Sequence, residues 1–368
     1  LGLGHYARAR NLSAALARAG FAVTLAHGGM PAGRGEDVPN LTQVQLPPAQ
    51  AADLNSSQIR DADGAIVTQA WRDTRAAALA QAIETARPNA IVTESFPFAR
   101  RAFAFEWAPI LERLAVAPSR PLMIASLRDI VLRPRGAGKA EAMLALGKTF
   151  YDLLLVHGDP DILTVDEAFP ELAELRGRTR YTGYVTQAPS PATARSGVLI
   201  CAGGGAVGEA LFRAALLAKA RADALAGSWT VVTGPMTGRQ TLNQLRAAAP
   251  SDLRVEGDVP DLAARFPGVE VIVAQAGYNT VVEALAARTP LVCVPYWTQK
   301  ETEQTRRAER FAGLGLLTHL PEAELTPAAL NNAIAEARTR QKASLTPDLG
   351  GAQASVAIIR RALAERRP

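Results

Sequence analysis

Cysteine is nearly absent from this chain. It has two, Cys201 and Cys293, each inside an apolar run, and no CxxC or Cys/His cluster. That excludes a disulfide framework and a zinc-finger type of site, and two buried thiols fit a reducing compartment. Histidine is also scarce, with only His5, His27, His157 and His319 to consider. Aromatic residues make up 5% of the chain and do not interleave with its arginines, which occur as scattered pairs such as Arg100-Arg101, Arg306-Arg307 and Arg360-Arg361. With a net charge of +5, that spacing argues against nucleic acid as a partner and suits anionic small molecules or an anionic membrane surface better. No apolar run approaches the ~18 residues needed to cross a bilayer, and no signal-peptide pattern is visible. The expected location is the cytoplasm, with peripheral membrane contact left open.

What the chain does have is alternation. Its 368 residues exceed what one core holds comfortably, and 48% hydrophobic with 20% charged residues is the balance of a soluble globular protein of two domains. Gly2-Leu3-Gly4-His5 opens onto a helical pattern over 6–19, Gly20 stops it, and 21–26 reads as a buried strand. In α/β proteins a Gly-rich turn of this kind follows a strand, so a first strand is expected ahead of Leu1. Strand-like runs recur at 41–46, 90–93, 122–126, 153–156 and 180–184, with helical stretches at 74–86, 98–116 and 139–150. This alternation predicts a parallel sheet with helices on both faces. Ala188-Pro189-Ser190-Pro191 breaks the pattern. After it, strands at 197–202, 229–233, 253–256, 269–274, 291–295 and 316–319 alternate with helices at 206–222, 239–248, 279–287 and 301–312, plus a short one from Pro260. Thr326 and Pro327 open a further helix over 327–340. The expected domains are 1–187 and 188–350, with a last basic amphipathic helix over 351–368.

Gly203-Gly204-Gly205-Ala206-Val207-Gly208 places GxGxxG between a strand and a helix, where small residues let backbone N–H groups and a helix N-terminus approach phosphate. A purely structural tight turn reads the same way. A dinucleotide site also expects a carboxylate at the end of the next strand, which here ends Val231-Val232-Thr233-Gly234, and the N-terminal turn leads to a strand ending at His27, so NAD is disfavoured twice. His5 stands at the start of a helix, whose N-terminus keeps an imidazole neutral and able to accept a proton; a capping or core histidine is the alternative. His157, at a strand end in LVHGDP, is the second candidate, while His27 and His319 look structural. Asp61-Ala62-Asp63 and Asp159-Pro160-Asp161 mimic a DxD metal motif, but such Asp residues more often make turns and caps, so no metal and no cofactor is expected.

Glu94, Arg100, Asp129 and His157 lie at or just after strand ends, which in doubly wound sheets open onto the ligand crevice, so they are candidates for an acceptor pocket. Ordinary loop ion pairs are the other reading. The stretch 275–304, QAGYNTVVEALAARTPLVCVPYWTQKETEQ, is the most telling in the chain. Gly277 permits a close turn, Asn279 or Thr280 can cap the helix that follows, and Glu283 is placed to accept two ribose hydroxyls. Glu303 and Gln304 offer a carboxylate and an amide to sugar hydroxyls.

Taken together, GLGHYARA, ESFPFARR, SLRDI, LVHGDP, YTGYV, CAGGGAVGE and QAGYNTVVE resemble a bacterial group of glycosyltransferases of GT-B fold, similar to the transferase that adds N-acetylglucosamine in lipid II synthesis. The resemblance covers essentially the whole chain. It implies two Rossmann-like doubly wound α/β domains facing across a cleft, with the acceptor on the first domain, the nucleotide-sugar donor on the second, and the last helix crossing back. By that similarity Glu283 binds the ribose, Glu303 and Gln304 the donor sugar, the turn through Gly203, Gly204, Gly205, Ala206 and Gly208 the diphosphate, and the loop around Val259 the base. Where the lipid II enzyme's phosphate turn has Ser, this chain has Ala206, which leaves the phosphates to backbone amides. The implied activity is inverting, metal-independent transfer from a UDP-sugar to an acceptor hydroxyl, on a small molecule or a lipid-linked sugar, with His5 as general base. The rival is a nucleotide-sugar hydrolase, some of which share a Gly-His-x-x-Arg start matched here by Gly4, His5 and Arg8; an inactive nucleotide-sugar-binding protein is a further alternative.

Overall fold

The computed structural model describes residues 3–31, 37–51, 58–189, 194–203, 207–221, 225–299, 302–341 and 343–366. The chain divides into two compact units, residues 1–185 with 350–368, and residues 186–349.

In the first unit, α1 (Leu3–Arg18) leads to β1 (Val23–His27), which pairs in parallel with β2 (Leu41–Gln45). The helix takes in part of the expected Gly-rich turn, so Gly4 and His5 lie in its first turn. A glycine is tolerated there because first-turn amides make no intrahelical bond. Two-residue strands β3 (Gln50–Ala51) and β4 (Ile59–Arg60) form a small antiparallel pair that has no legible sequence pattern at that length. Helix α2 (Gln69–Ala86) is capped by Thr68, whose hydroxyl accepts from Trp71 N at 3.2 Å.

A four-stranded parallel sheet follows, in the order β5 (Ala90–Glu94), β6 (Leu122–Arg128), β7 (Leu153–His157), β8 (Thr179–Tyr181). It is connected through α3 (Ala104–Ala115), α4 (Lys139–Phe150) and α5 (Val165–Ala168). The helix expected over 98–116 starts late. Arg100 has a left-handed backbone (φ 57°), and a 3-10 turn over Arg101–Phe103 intervenes before α3. Both faces of this sheet are buried, as a parallel sheet requires. On β6, Met123, Ala125 and Leu127 pack with α4, while Leu122 and Ile124 pack with α1.

The second unit is one six-stranded parallel sheet of order β11-β10-β9-β12-β13-β14. Its elements are β9 (Val198–Cys201), α6 (Glu209–Lys219), β10 (Trp229–Val232), α7 (Arg239–Ala248), β11 (Leu253–Glu256), β12 (Val271–Ala274), α8 (Tyr278–Ala286), β13 (Leu291–Cys293), α9 (Glu303–Gly313) and β14 (Thr318–His319). The short helix expected from Pro260 is a 3-10 segment, Leu262–Gly268, entered through a left-handed Asp261 (φ 50°) and containing Pro267. Helix α10 (Pro327–Thr339) has Thr326 as N-cap and Pro327 at its first position, so the Thr326 hydroxyl accepts from Ala329 N at 3.1 Å.

The last helix, α11 (Gly351–Glu365), belongs to the first unit and packs on α1, burying Val356 and Ile359 beside Leu12 and Leu16. Glycine is required at its start. A Cβ on Gly351 would lie 2.4 Å from the Gly183 carbonyl oxygen.

Candidate active site

In the second unit the chain leaves β9 toward β10 and leaves β12 toward β13, in opposite directions across the sheet. The point between β9 and β12 is therefore a topological switch, where the carboxyl ends of strands open a crevice. Two helices begin there. Gly208 is the N-cap of α6, and a Cβ on it would come within 2.3 Å of Ala202 Cβ and 2.7 Å of the Phe212 ring, so this glycine lets the helix pack against the strand end. Gly203 has φ 61° with open space beside it, which suits a turn without side chains. Gly204, Gly205 and Ala206 lie outside the described residues. Gln275, at the end of β12, donates to the Val207 carbonyl at 2.9 Å and so ties the two turns together.

Gly277, not Asn279 or Thr280, is the N-cap of α8, because the helix already begins at Tyr278 and Asn279 and Thr280 fall within its first turn. A glycine cap brings no side chain of its own over the first-turn amides. Two helix N-termini thus meet at one crevice, an arrangement that favours anions. One and a half turns into α8 is Glu283. Burial, with the charge of Asp261 added, pushes its pKa up to about 7. Asp261, two residues after Val259, is thus close enough to Glu283 for its charge to act there.

Glu303 and Gln304 both have intramolecular partners. The Gln304 side-chain oxygen accepts from Tyr296 N at 3.2 Å. Glu303 pairs with Arg307 at 2.8 Å, and Arg307 is fully buried, donating also to the Ala276 carbonyl at 2.9 Å and lying 5.8 Å from the Tyr278 ring centre. Arg307 therefore links the start of α9 to the turn ahead of α8.

In the first unit His5, Glu94, Arg100, Arg128 and His157 converge at the carboxyl ends of β5, β6 and β7. His5 Nδ1 is 2.7 Å from Glu94 Oε1, and the Arg8 guanidinium pairs with the same oxygen. Glu94 Oε2 accepts from Ser126 at 3.0 Å, Ser126 contacts His157 Nε2 at 3.0 Å, and His157 Nδ1 contacts Thr182 at 2.9 Å. Burial would raise the Glu94 pKa, but Arg8, the His5 hydrogen bond and the neighbouring charges outweigh it, and the carboxyl is held well below its usual range. Burial, then Arg128 and Arg100, lower His5 against the opposing pull of Glu94. His157 falls to about 3 through burial and Arg8. Both imidazoles are thus neutral near neutrality, beside one ionised carboxylate. Arg100 is itself lowered to about 10, first by burial and then by the other guanidiniums, and remains a cation at neutral pH.

With an ionised Glu94 as its partner, His5 Nδ1 carries the proton and Nε2 is the basic nitrogen. The Arg128 guanidinium rests against Nε2. Asp129 and His157, expected from the sequence to line an acceptor pocket, are enclosed side chains. Both are buried, and Asp129 accepts from Ile130 N at 2.9 Å. The two Asp-x-Asp runs are turns, with Asp61 accepting from Asp63 N and Ala65 N and Asp159 from Asp161 N. Arg307, Gln275, Asp261 and Ser126 were not legible as site residues. For Arg307 a signal existed, since it lies four residues after Glu303 on one helix face.

Residues 199–358 match the model of the glycosyltransferase family 28 C-terminal domain. Over 72 residues the chain is 39% identical to the UDP-N-acetylglucosamine–N-acetylmuramyl-(pentapeptide) pyrophosphoryl-undecaprenol N-acetylglucosamine transferase of Methylibium petroleiphilum. That match spans 20% of either protein, so the chain aligns with about a fifth of this relative's length. Among solved structures, MurG of Acinetobacter baumannii aligns with 97% of this chain and 96% of its own at TM-score 0.55 and 14% identity. The calicheamicin glycosyltransferase CalG4 aligns with 99% and 96% at TM-score 0.59 and 16% identity. The spinosyn rhamnosyltransferase SpnG, complexed with thymidine diphosphate, aligns with 97% and 92% at TM-score 0.54 and 16% identity. At these identities the likeness is one of fold. The chain has the GT-B fold, and the resemblance to the family 28 C-terminal domain is confined to residues 199–358.

Proposed function

We propose that the chain is an inverting, metal-independent glycosyltransferase that moves a sugar from a nucleotide diphosphate, with uridine favoured, to an acceptor hydroxyl. The observation that carries this reading is the second unit's crevice, where two glycine-capped helix N-termini and the half-buried carboxyl of Glu283 meet at the topological switch. The amides suit a diphosphate and the carboxylate suits a ribose diol. The match to the family 28 C-terminal domain supports the same assignment.

In this reading the acceptor oxygen attacks the anomeric carbon as the bond to the diphosphate oxygen breaks, which inverts the configuration. His5 Nε2 takes the acceptor proton as Arg128 gives way to the hydroxyl, and Glu94 stabilises the imidazolium through Nδ1. The helix N-termini receive the charge that develops on the departing diphosphate.

A thermal-shift panel of UDP, TDP, GDP and ADP and their sugars tests the donor assignment. A nucleotide at 100 times its dissociation constant stabilises by about 2.7 kcal/mol. The uridine compounds are expected to give the largest shift; no shift with any nucleotide would sink the reading, and a larger shift with TDP would replace uridine by thymidine. Free sugar released at the full rate without an acceptor would move the assignment to a hydrolase.

Glu283 adds a pH signature. If only its carboxylate accepts the ribose hydroxyls, donor affinity rises with pH and levels off above about 7, with a slope approaching tenfold per unit below that. In the ligand-free chain the sign is opposite. A carboxyl raised from 4.5 to about 7 contributes stability below 4.5 and loses it as pH rises through 7. Calorimetric donor titrations at pH 6, 7 and 8 check the first effect, and a pH-independent affinity, or an equal slope in Glu283→Gln, removes Glu283 from the ribose.

A further inference from the structure

Four polar side chains form a hydrogen-bonded row across the first unit's sheet: Thr182 just after β8, His157 at the end of β7, Ser126 within β6 and Glu94 at the end of β5. Strand register brings them level. Glu94 is paired with Ser126, and Tyr181, next to Thr182, is paired with Val156, next to His157. Thr182, His157 and Ser126 are 1%, 0% and 2% exposed, so their polar atoms find their partners inside the protein. Neither Ser126 nor His157 takes part in the proton transfer proposed for His5, which leaves the purpose of the row open.

The direction of each bond follows from Glu94. An ionised carboxylate only accepts, so the Ser126 hydroxyl gives its one proton to Oε2 at 3.0 Å. His157 is neutral near neutrality, its pKa lowered to about 3 first by burial and then by Arg8, and it therefore carries a single N–H. Nε2, 3.0 Å from the Ser126 oxygen, holds that proton, since two lone pairs would otherwise face each other. Nδ1 then accepts from the Thr182 hydroxyl at 2.9 Å. The reverse arrangement has an outlet too, because Thr182 lies 2.8 Å from the Gly183 carbonyl oxygen. It would turn the Ser126 proton toward His157 and leave Oε2 facing a lone pair, and a bond to a charged acceptor is about twice as strong as a neutral one.

We propose that His157, as its Nε2–H tautomer, is a positioning residue for His5: through Ser126 it fixes the Glu94 carboxylate with Oε1 toward His5 Nδ1. The two histidines then carry their protons on opposite nitrogens. Glu94 needs this hold because the terminal torsion of a glutamate is soft and because His5, Arg8 and Ser95 all converge on Oε1. An unheld Oε2 would rotate toward one of those donors. Histidine suits the middle of the row, since a neutral imidazole donates on one edge and accepts on the other. The consequence for turnover rests on the reading of His5 as the base; the hydrogen-bonded row does not.

The ligand-free, unmodified chain tests the direction first. Ring nitrogen-proton correlation spectra near neutral pH are expected to show His5 protonated on Nδ1 and His157 on Nε2; His157 protonated on Nδ1 overturns the proposal. Exchange of the His5 Nδ1 proton with water then measures how often the bond between His5 and Glu94 opens. In Ser126→Ala and in His157→Leu it is expected to quicken by about 10- to 100-fold, the worth of one hydrogen bond to a charged group, while the amides of β6 from Leu122 to Ala125 exchange as before. His157→Gln keeps an N–H donor for Ser126 and should return the rate most of the way to that of the unmodified chain. Unchanged exchange in both Ser126→Ala and His157→Leu overturns the proposal, as does a rise shared equally with the β6 amides, which would make the row a matter of stability alone. If the His157 variants do not fold, Ser126→Ala and the two ring tautomers decide. Full turnover in His5→Ala, with the tautomers and exchange rates as expected, would overturn the role of His5 in sugar transfer and uphold the positioning.

Discussion

His5→Ala is expected to lower the turnover of the proposed sugar transfer by about 10²- to 10⁴-fold while leaving donor affinity unchanged, because general-base catalysis is worth about that much and His5 belongs to the first unit, whereas the proposed donor residues belong to the second. The direction follows from the protonation states. Burial and the Arg128 and Arg100 charges keep the imidazole neutral, so it is ready to accept a proton, and the adjacent Glu94 carboxylate stabilises the cation that results. A base lowered in this way also predicts the pH profile. Rate should stay level as pH falls through 6.5, the ordinary imidazole value, and drop only below it. Glu94→Gln keeps a hydrogen-bonding group but removes the charge, so it should cost less than His5→Ala and move the acid limb lower still, since Glu94 is the neighbour that raises the His5 pKa. Initial rates with saturating donor, together with calorimetric donor affinity, measure both effects. Unchanged turnover in His5→Ala would remove it as the base.

How legible this arrangement is from sequence depends on how far apart its parts lie. The α/β alternation is readable because the strands are buried on both faces and stand out as short apolar runs between helical periods, as in residues 122–128 and 271–274. The elements that escaped are those too short to carry a period, such as β3, β4 and α5. The candidate donor half, as a local pattern, is readable for a similar reason. Gly277 and Glu283 sit on one strand-turn-helix segment, and local spacing fixes which way they point. The other half is not local: Arg8 and Glu94 are separated by 86 residues, and His5 and Arg128 by 123, so their meeting is a property of the folded sheet alone. That distance also explains why Asp129 and His157 could be placed at strand ends from sequence, yet their burial could not be seen there.

Arg307→Met is expected to destabilise the second unit by about 3 kcal/mol, the low end of the range for breaking a buried ion pair, because Glu303 keeps 18% of its side chain exposed. Arg307 is fully buried, and it holds three separate elements: the Glu303 carboxylate at the start of α9, the Ala276 carbonyl ahead of α8, and the Tyr278 ring. Its removal leaves Glu303, with its side chain only 18% exposed, beside an apolar replacement, and frees a buried carbonyl. The double variant Arg307→Met with Glu303→Met discriminates between a pair that stabilises and one that merely avoids an orphan. Replacing both charges by apolar groups of similar volume is often neutral, so the double variant should recover most of the loss measured by urea denaturation. Donor binding gives the second readout. If the pair also sets the turn before α8, the double variant should regain stability yet bind nucleotide more weakly than the unmodified chain, because Gly277 and the first-turn amides of α8 lose their tether. A single variant as stable as the unmodified chain would show that Arg307 holds nothing in place, and a double variant with full stability and full nucleotide affinity would confine its role to neutralising Glu303.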